Sequence, residues 1–176
     1  MRRTKTKKKY LAAAILLFCA AAFVKVFVSQ PPVNPELAGA YEVVRVVDGD
    51  TFVALIAGEK VKVRLIGVDT PESVHPDKSK NTEAGKTASD YTKEMLDGKS
   101  VYLEYDVDTY DRYDRMLAYV YLSDGTTMLN RLLLESGNAS VMTVQPNVKY
   151  ADEFYELQKE AQRKHIGIWE GEIDYE

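Results

Sequence analysis

The residues with the clearest chemical potential are acids and arginines at the edges of apolar runs. Asp48 and Asp50 sit in "VVDGDTF", Arg64 in "VRLIGV", Asp69, Thr70 and Glu72 in the "DTPE" that follows, and Arg115 in "DRYDRMLAY". Taken singly, each has an ordinary reading. "DGD" is a good hairpin turn, "DTPE" is a strand exit in which Pro71 ends the pairing, Arg64 is an outward-facing strand residue, and Arg115 is a surface charge. Taken together they suggest more. Four carboxylates in one place repel unless a cation or a proton relieves them. An all-oxygen set, completed by a backbone or hydroxyl oxygen at Thr70, is what a hard cation such as Ca²⁺ takes. No histidine or cysteine is among them, which argues against zinc. Arginine beside such a site makes sense if cation and guanidinium hold one anion, because the guanidinium fork matches phosphate oxygens in two-pronged fashion.

The elements that must position these groups can be read from the pattern. Three runs rich in β-branched residues come first: "YEVVRVV" (41–47), "TFVALIA" (51–57) and "KVKVRLIGV" (60–68). With hairpin turns at 48–50 and 58–59 they form an antiparallel meander. The third strand therefore exits, at 68–72, at the same end of the sheet as the 48–50 turn, and this topology gathers the acids. Arg64 and Asp69 are five residues apart and have opposite pleat parity, so a bend at Gly67 is needed to bring both to one pocket. A helix follows in "TEAGKTASDYTKEMLDG", with Ala84, Ala88, Tyr91 and Met95 as its stripe and Gly98 as its stop. Strands at 100–107 and 116–122 come next. A second helix near 127–136 carries Met128, Leu129, Leu132 and Leu133, "ASVMTV" is a short extended piece, and a third helix near 150–164 buries Ala151, Phe154, Leu157 and Ala161. Five short strands with a helix between the third and fourth predict an α+β fold, mainly β: a five-stranded OB-fold barrel with three helices. Trp169 is expected to pack the tail onto the body. "DVDTYDRYDRML" (106–117) begins like an EF-hand loop, but Asp111 and Leu117 stand where that loop requires glycine and glutamate.

The 176 residues, 45% of them apolar, suffice for one domain plus a leader. Six of the first ten residues are basic, and 14 apolar residues follow at 11–24. That length suits a signal-peptide core and falls short of the roughly 20 residues of a membrane span. Residues 1–29 therefore read as a signal peptide or membrane anchor, 30–39 as a proline-bearing linker, and 40–176 as the domain. The basic flank stays cytoplasmic, so the body is expected to be exported, either secreted or at the cell surface. It would then touch the membrane only through the N-terminal segment. The only cysteine, Cys19, lies in the leader, so the body has neither disulfide nor cysteine metal site. Without residues 1–29 there remain 16 basic and 27 acidic groups, a net charge of 16 − 27 = −11. Such a field repels polyanions in bulk, so any nucleic-acid recognition must be local. Nothing in the sequence calls for more than a monomer.

"VVDGDTF", "VRLIGVDTPE", "HP" at 75–76, "DRYDRMLAYVY" and the terminal "IW" resemble the staphylococcal nuclease (thermonuclease) family, over roughly residues 41–170 and in the family's order. The resemblance implies a hydrolase that uses Ca²⁺ to cleave the phosphodiester bonds of DNA and RNA, leaving 3′-phosphate ends. It implies Ca²⁺ ligation by Asp50, Asp69 and the Thr70 carbonyl, with Asp48 assisting from just outside that set. Glu72 would be the general base or would orient the attacking water, and Arg64 and Arg115 would be the catalytic arginines. Arg112 and Tyr113 would lie near the terminal phosphate of the substrate. Four features depart from the family. Asp114 replaces a glycine ahead of Arg115, and its carboxylate is expected to pair with that arginine and weaken its hold on phosphate. Thr143 and Gln145 replace two tyrosines that flank the substrate nucleotide. The stretch from His75 to Glu83 is shorter, and the body is acidic where the family's type member is basic. The complete catalytic set favours the nuclease, while the two tyrosine losses and the acidic body lend slight support to an alternative of another class, a catalytically silent OB-fold module that binds nucleic acid or a protein partner at the cell surface. A further alternative is a surface module whose carboxylates bind Ca²⁺ only for stability.

Overall fold

The computed structural model describes residues 36–73 and 81–171. The readings made for the leader, for most of the linker and for "HP" at 75–76 lie outside them. Strands β1 (Ala38–Asp48), β2 (Thr51–Ile56) and β3 (Glu59–Leu65) form the antiparallel meander, with Asp48 opposite Thr51 and Thr51 opposite Arg64. Strand β4 (Gly67–Asp69) follows at once, then helix α1 (Glu83–Leu96), β5 (Ser100–Glu104), β6 (Met116–Tyr121), helix α2 (Leu129–Glu135), β7 (Ser140–Met142) and helix α3 (Ala151–Arg163). A closed barrel in the order β1-β2-β3-β6-β5 results, in which β3 and β6 run parallel and the other pairs antiparallel. The expected five-stranded OB-type barrel with three helices is therefore present. β4 and β7 make a separate two-stranded sheet beside it.

Alternation along the strands fills the barrel. Phe52, Ala54, Val63, Val101, Leu103, Ala118 and Val120 are fully buried, and Leu65 nearly so. Burying a large apolar side chain of this kind contributes roughly 1.5–3 kcal/mol. From the helices, Leu96, Leu129, Leu133, Leu134 and Phe154 join the same core.

The structure departs from the sequence reading at several points. The run at 60–68 is not one strand, because Gly67 turns the chain with φ of +79°. A Cβ there would meet the Phe154 ring at 2.7 Å, so glycine serves both the backbone angle and the close approach. The residue before it is pinned on both sides: the Ile66 N–H donates to the Ala118 carbonyl (3.0 Å), and the Ile66 carbonyl accepts from Asn130 Nδ2 (2.8 Å). The second hairpin turns at Ala57–Gly58 rather than 58–59. Both residues have positive φ (51° and 84°), as in turns whose twist matches that of the flanking strands. Helix α1 buries Gly85, Ala88, Ser89, Thr92 and Leu96, with Ala84, Tyr91 and Met95 on the flank of that face. β5 stops at Glu104, a buried carboxylate that accepts from Tyr121 (2.8 Å), from Tyr150 (3.0 Å) and from Lys149. The 3-10 turn Gly167–Trp169 ties the chain back to the body, with the Ile168 N–H donating to the Gly137 carbonyl at 2.8 Å.

Candidate active site

The first hairpin turn and the exit of β3–β4 lie against each other, as the meander topology requires. The Thr70 N–H and hydroxyl both donate to Asp50 Oδ2, at 3.1 and 3.2 Å. Gly49 sits so close to Thr70 that a Cβ would meet its Oγ1 at 2.7 Å. Asp50 and Thr70 are buried. The expected cluster of four carboxylates, however, separates. Asp48 turns to its neighbours, accepting from the Gly49 N–H (2.8 Å) and the Ser73 hydroxyl (2.5 Å). Glu72 is exposed and lines neither the site of Asp50 and Asp69 nor the cavity that Arg64 and Arg115 share. Asp50 and Asp69 are left as the pair that flanks Arg64.

The Arg64 guanidinium is buried and held by both carboxylates. Nη1 donates to the carbonyls of Val68 (2.8 Å) and Leu65 (3.2 Å) and lies 3.0 Å from Asp50 Oδ2. Nη2 donates to Asp69 Oδ1 at 2.8 Å. The turn at Gly67 is what lets Arg64 meet Asp69 despite their opposite parity. Burial pushes the Asp69 carboxyl above its ordinary range. Arg64 opposes that shift, and the charges of Asp50 and Asp48 add to it.

Arg115 sits one residue ahead of β6. The parallel register places Val63 opposite Met116, so the two arginines approach the same part of the barrel from neighbouring strands. They line one cavity of about 460 Å³, together with Arg112, Tyr113, Leu117 and Gln145. The carboxylate that holds Arg115 is Asp111 and not the expected Asp114. Asp111 accepts from Arg115 Nε (2.7 Å), from the Arg115 N–H (3.0 Å) and from the Tyr113 N–H (2.9 Å). Burial works upward on the Asp111 carboxyl, but these hydrogen bonds and the guanidinium charge outweigh it and hold the group below its ordinary range. Asp114 differs from glycine in another way: it adopts φ of +60°, which glycine takes without strain. The Tyr113 ring is exposed, with the Arg112 and Arg115 guanidinium carbons 4.8 and 5.4 Å from its centroid, and its hydroxyl accepts from Arg112 at 2.7 Å.

Of the two residues that replace tyrosines, Gln145 lines the cavity, whereas Thr143 is exposed outside its lining. Sequence reasoning missed three residues that shape the site. Asp111 stands four positions before Arg115, and that spacing was a usable signal. Ser73 and Asn147 gave none. Asn147 exchanges hydrogen bonds of 2.8 Å with the backbone of Asp108 and so fixes the cavity's far wall.

Among the described residues no three or more histidine, cysteine, aspartate or glutamate side chains are grouped for a metal. The expected Ca²⁺ set holds only two carboxylates, Asp50 and Asp69, with the Thr70 carbonyl as third donor. Its donors are nonetheless all oxygen, which suits a hard cation. Burial is the main cause of the raised Asp69 pKa, with the charges of Asp50 and Asp48 adding to it, and a cation beside the group would favour its ionised form.

A family model described as staphylococcal nuclease homologue matches residues 62–171. The thermonuclease of Staphylococcus hyicus is 45% identical over 132 residues, which cover 73% of this chain and 75% of that protein. The thermonuclease of Staphylococcus intermedius is 46% identical over 134 residues, covering 74% and 76%. The endonuclease YncB of Bacillus subtilis is 38% identical over 126 residues, covering 71% of this chain and 59% of its own length.

Proposed function

This chain belongs to the staphylococcal nuclease family and is a nuclease, a hydrolase of phosphodiester bonds, and from that premise we propose that it is exported, depends on Ca²⁺ and cleaves DNA and RNA by in-line attack of water to leave 3′-phosphate ends. The observation that carries this reading is the position of Arg64, buried between Asp50 and Asp69 and lining one cavity with Arg115.

Asp50, Asp69 and the Thr70 carbonyl would hold Ca²⁺, which when bound neutralises a phosphodiester oxygen and orients it. Asp48 assists by fixing the turn through Gly49 and Ser73. Glu72, which is exposed, orients the attacking water or takes its proton. The water attacks phosphorus in line with the 5′ oxygen, whose bond to phosphorus breaks and which leaves with a proton from solvent. Negative charge then grows on the equatorial oxygens of phosphorus, where Arg64 and Arg115 donate. Fixed donors of this kind give about 10²–10³ each in rate. Asp111 engages Arg115 only at Nε and the backbone N–H, so the terminal nitrogens, with no hydrogen bond among the described residues, are the donors to phosphate. Arg112 and Tyr113 line the same cavity and would bind the terminal phosphate of the substrate.

In this reading residues 1–29 are the signal peptide or anchor, 30–39 the linker and 40–176 a monomeric domain. Among the described residues no helix is long and apolar enough to cross a membrane. The test is cleavage of single-stranded DNA by purified protein, with Ca²⁺ and with chelator. We expect Ca²⁺-dependent cleavage that Glu72→Ala lowers by orders of magnitude with the fold intact. Absence of cleavage at every Ca²⁺ and salt concentration would overturn the reading.

A further inference from the structure

We infer that helix α1 is a positioning element for Glu72 and acts through a backbone contact at Gly85. The inference rests on the reading of Glu72 as the residue that orients or deprotonates the attacking water.

The helix has a fixed seat of its own. Ala88, Thr92 and Leu96 are fully buried, and the Thr92 hydroxyl donates to the Gly49 carbonyl at 2.6 Å. α1 is therefore keyed to the same turn that carries Asp48 and Asp50. At its N-cap and first turn the helix meets the segment that carries Glu72. The Thr82 N–H donates to the Glu72 carbonyl at 3.0 Å, and the Thr82 hydroxyl accepts from the Gly85 N–H at 2.9 Å. A Cβ on Gly85 would lie 2.1 Å from the Glu72 carbonyl oxygen, 2.5 Å from its carbon and 2.8 Å from the Pro71 carbonyl oxygen. These are backbone atoms and cannot rotate aside as the tip of a side chain would.

Helix propensity offers no reason for glycine at this position, since it costs about 1 kcal/mol against alanine inside a helix. Gly85 does not have positive φ, so no backbone angle calls for it. The close approach to residues 71–72 is what excludes a side chain. α1 thus sets where the Glu72 backbone rests relative to the turn of Asp50. A methyl group at 85 would push that backbone away by roughly an ångström, a misplacement that costs about 10²-fold in rate.

The test is a cycle of four full-length proteins: wild type, Gly85→Ala, Glu72→Ala and the double variant. KM and kcat are measured on single-stranded DNA with saturating Ca²⁺. Gly85→Ala is expected to lower kcat by about 10²-fold, with KM little changed. In the Glu72→Ala background the same substitution should change kcat by less than about threefold, because the group it positions is gone. An equal loss in both backgrounds, or an unchanged kcat for Gly85→Ala, overturns the inference. If Glu72→Ala alone leaves kcat unchanged, the role of Glu72 fails first and the inference falls with it. Should circular dichroism show Gly85→Ala unfolded, Thr82→Ala takes its place, since it removes the hydroxyl that holds the Gly85 N–H and adds no volume. Its several-fold loss of kcat should vanish in the Glu72→Ala background, and a loss that persists there overturns the inference.

Discussion

Arg64 and Arg115 carry the same guanidinium into two different settings. Arg64 is buried, and its terminal nitrogens meet two carbonyls and two carboxylates. Arg115 has a side chain 29% exposed, is held by Asp111, and has the face of an exposed tyrosine near its guanidinium. The first group neutralises Asp50 and Asp69 and is part of the framework that shapes the site. The second hangs from one carboxylate and faces the cavity. In the proposed mechanism one cationic donor is thus built into the fold and the other left adjustable, and the two should respond differently to substitution.

The largest effect is expected for Arg64→Ala. Removing one partner of a buried ion pair leaves Asp50 uncompensated, at about 3–5 kcal/mol, and removes a donor to phosphate. Denaturant unfolding and cleavage assays should fall together, and an unchanged stability would break the contrast. Arg115→Ala should lower the rate by about 10²–10³ while costing less stability than Arg64→Ala, because the Arg115–Asp111 pair is only partly buried. Coupled losses there would make the two arginines equivalent.

A smaller effect concerns Asp69. Its carboxyl is raised in the folded state, so its contribution favours folding at pH below its unfolded value and is lost as pH rises through the folded one. A divalent cation stabilises the ionised form and opposes that loss. The increase in thermal midpoint on adding Ca²⁺ should therefore be larger at pH 7 than near pH 4, and an equal increase at both would detach Asp69 from the cation. The smallest effect is Asp114→Gly. Relief of the positive φ, partly offset by the freer unfolded chain, should stabilise by about 0.5 kcal/mol, with the cleavage rate within twofold of wild type. A several-fold rise in rate would restore Asp114 as a restraint on Arg115.

The sequence made the meander legible because alternation and turn residues are local signals, and the meander alone brings the 48–50 turn to the exit at 68–72. It also raised the right question about Arg64 and Asp69, since parity can be counted. The answer lay beyond local pattern, in Phe154 crowding Gly67 and Asn130 holding Ile66 from a distant helix. Asp111 stands where an EF-hand loop needs glycine, and its role is carried instead by its four-residue spacing from Arg115. Asp114 drew attention for its charge, whereas its departure from glycine lies in the backbone. The pairing of β4 with β7 and the parallel seam between β3 and β6 join residues far apart in the chain, and no local periodicity carries such information.

That seam has a consequence for how the protein can change. Arg64 and Arg115 owe their mutual spacing to registry between adjacent strands, with Leu117 opposite Arg64, and not to the chain from 66 to 115 that travels between them. Exposed residues within that excursion can exchange their charges without altering the gauge of the pincer. Lineages could thus retune which polymers enter the mouth while the grip at its floor stays constant.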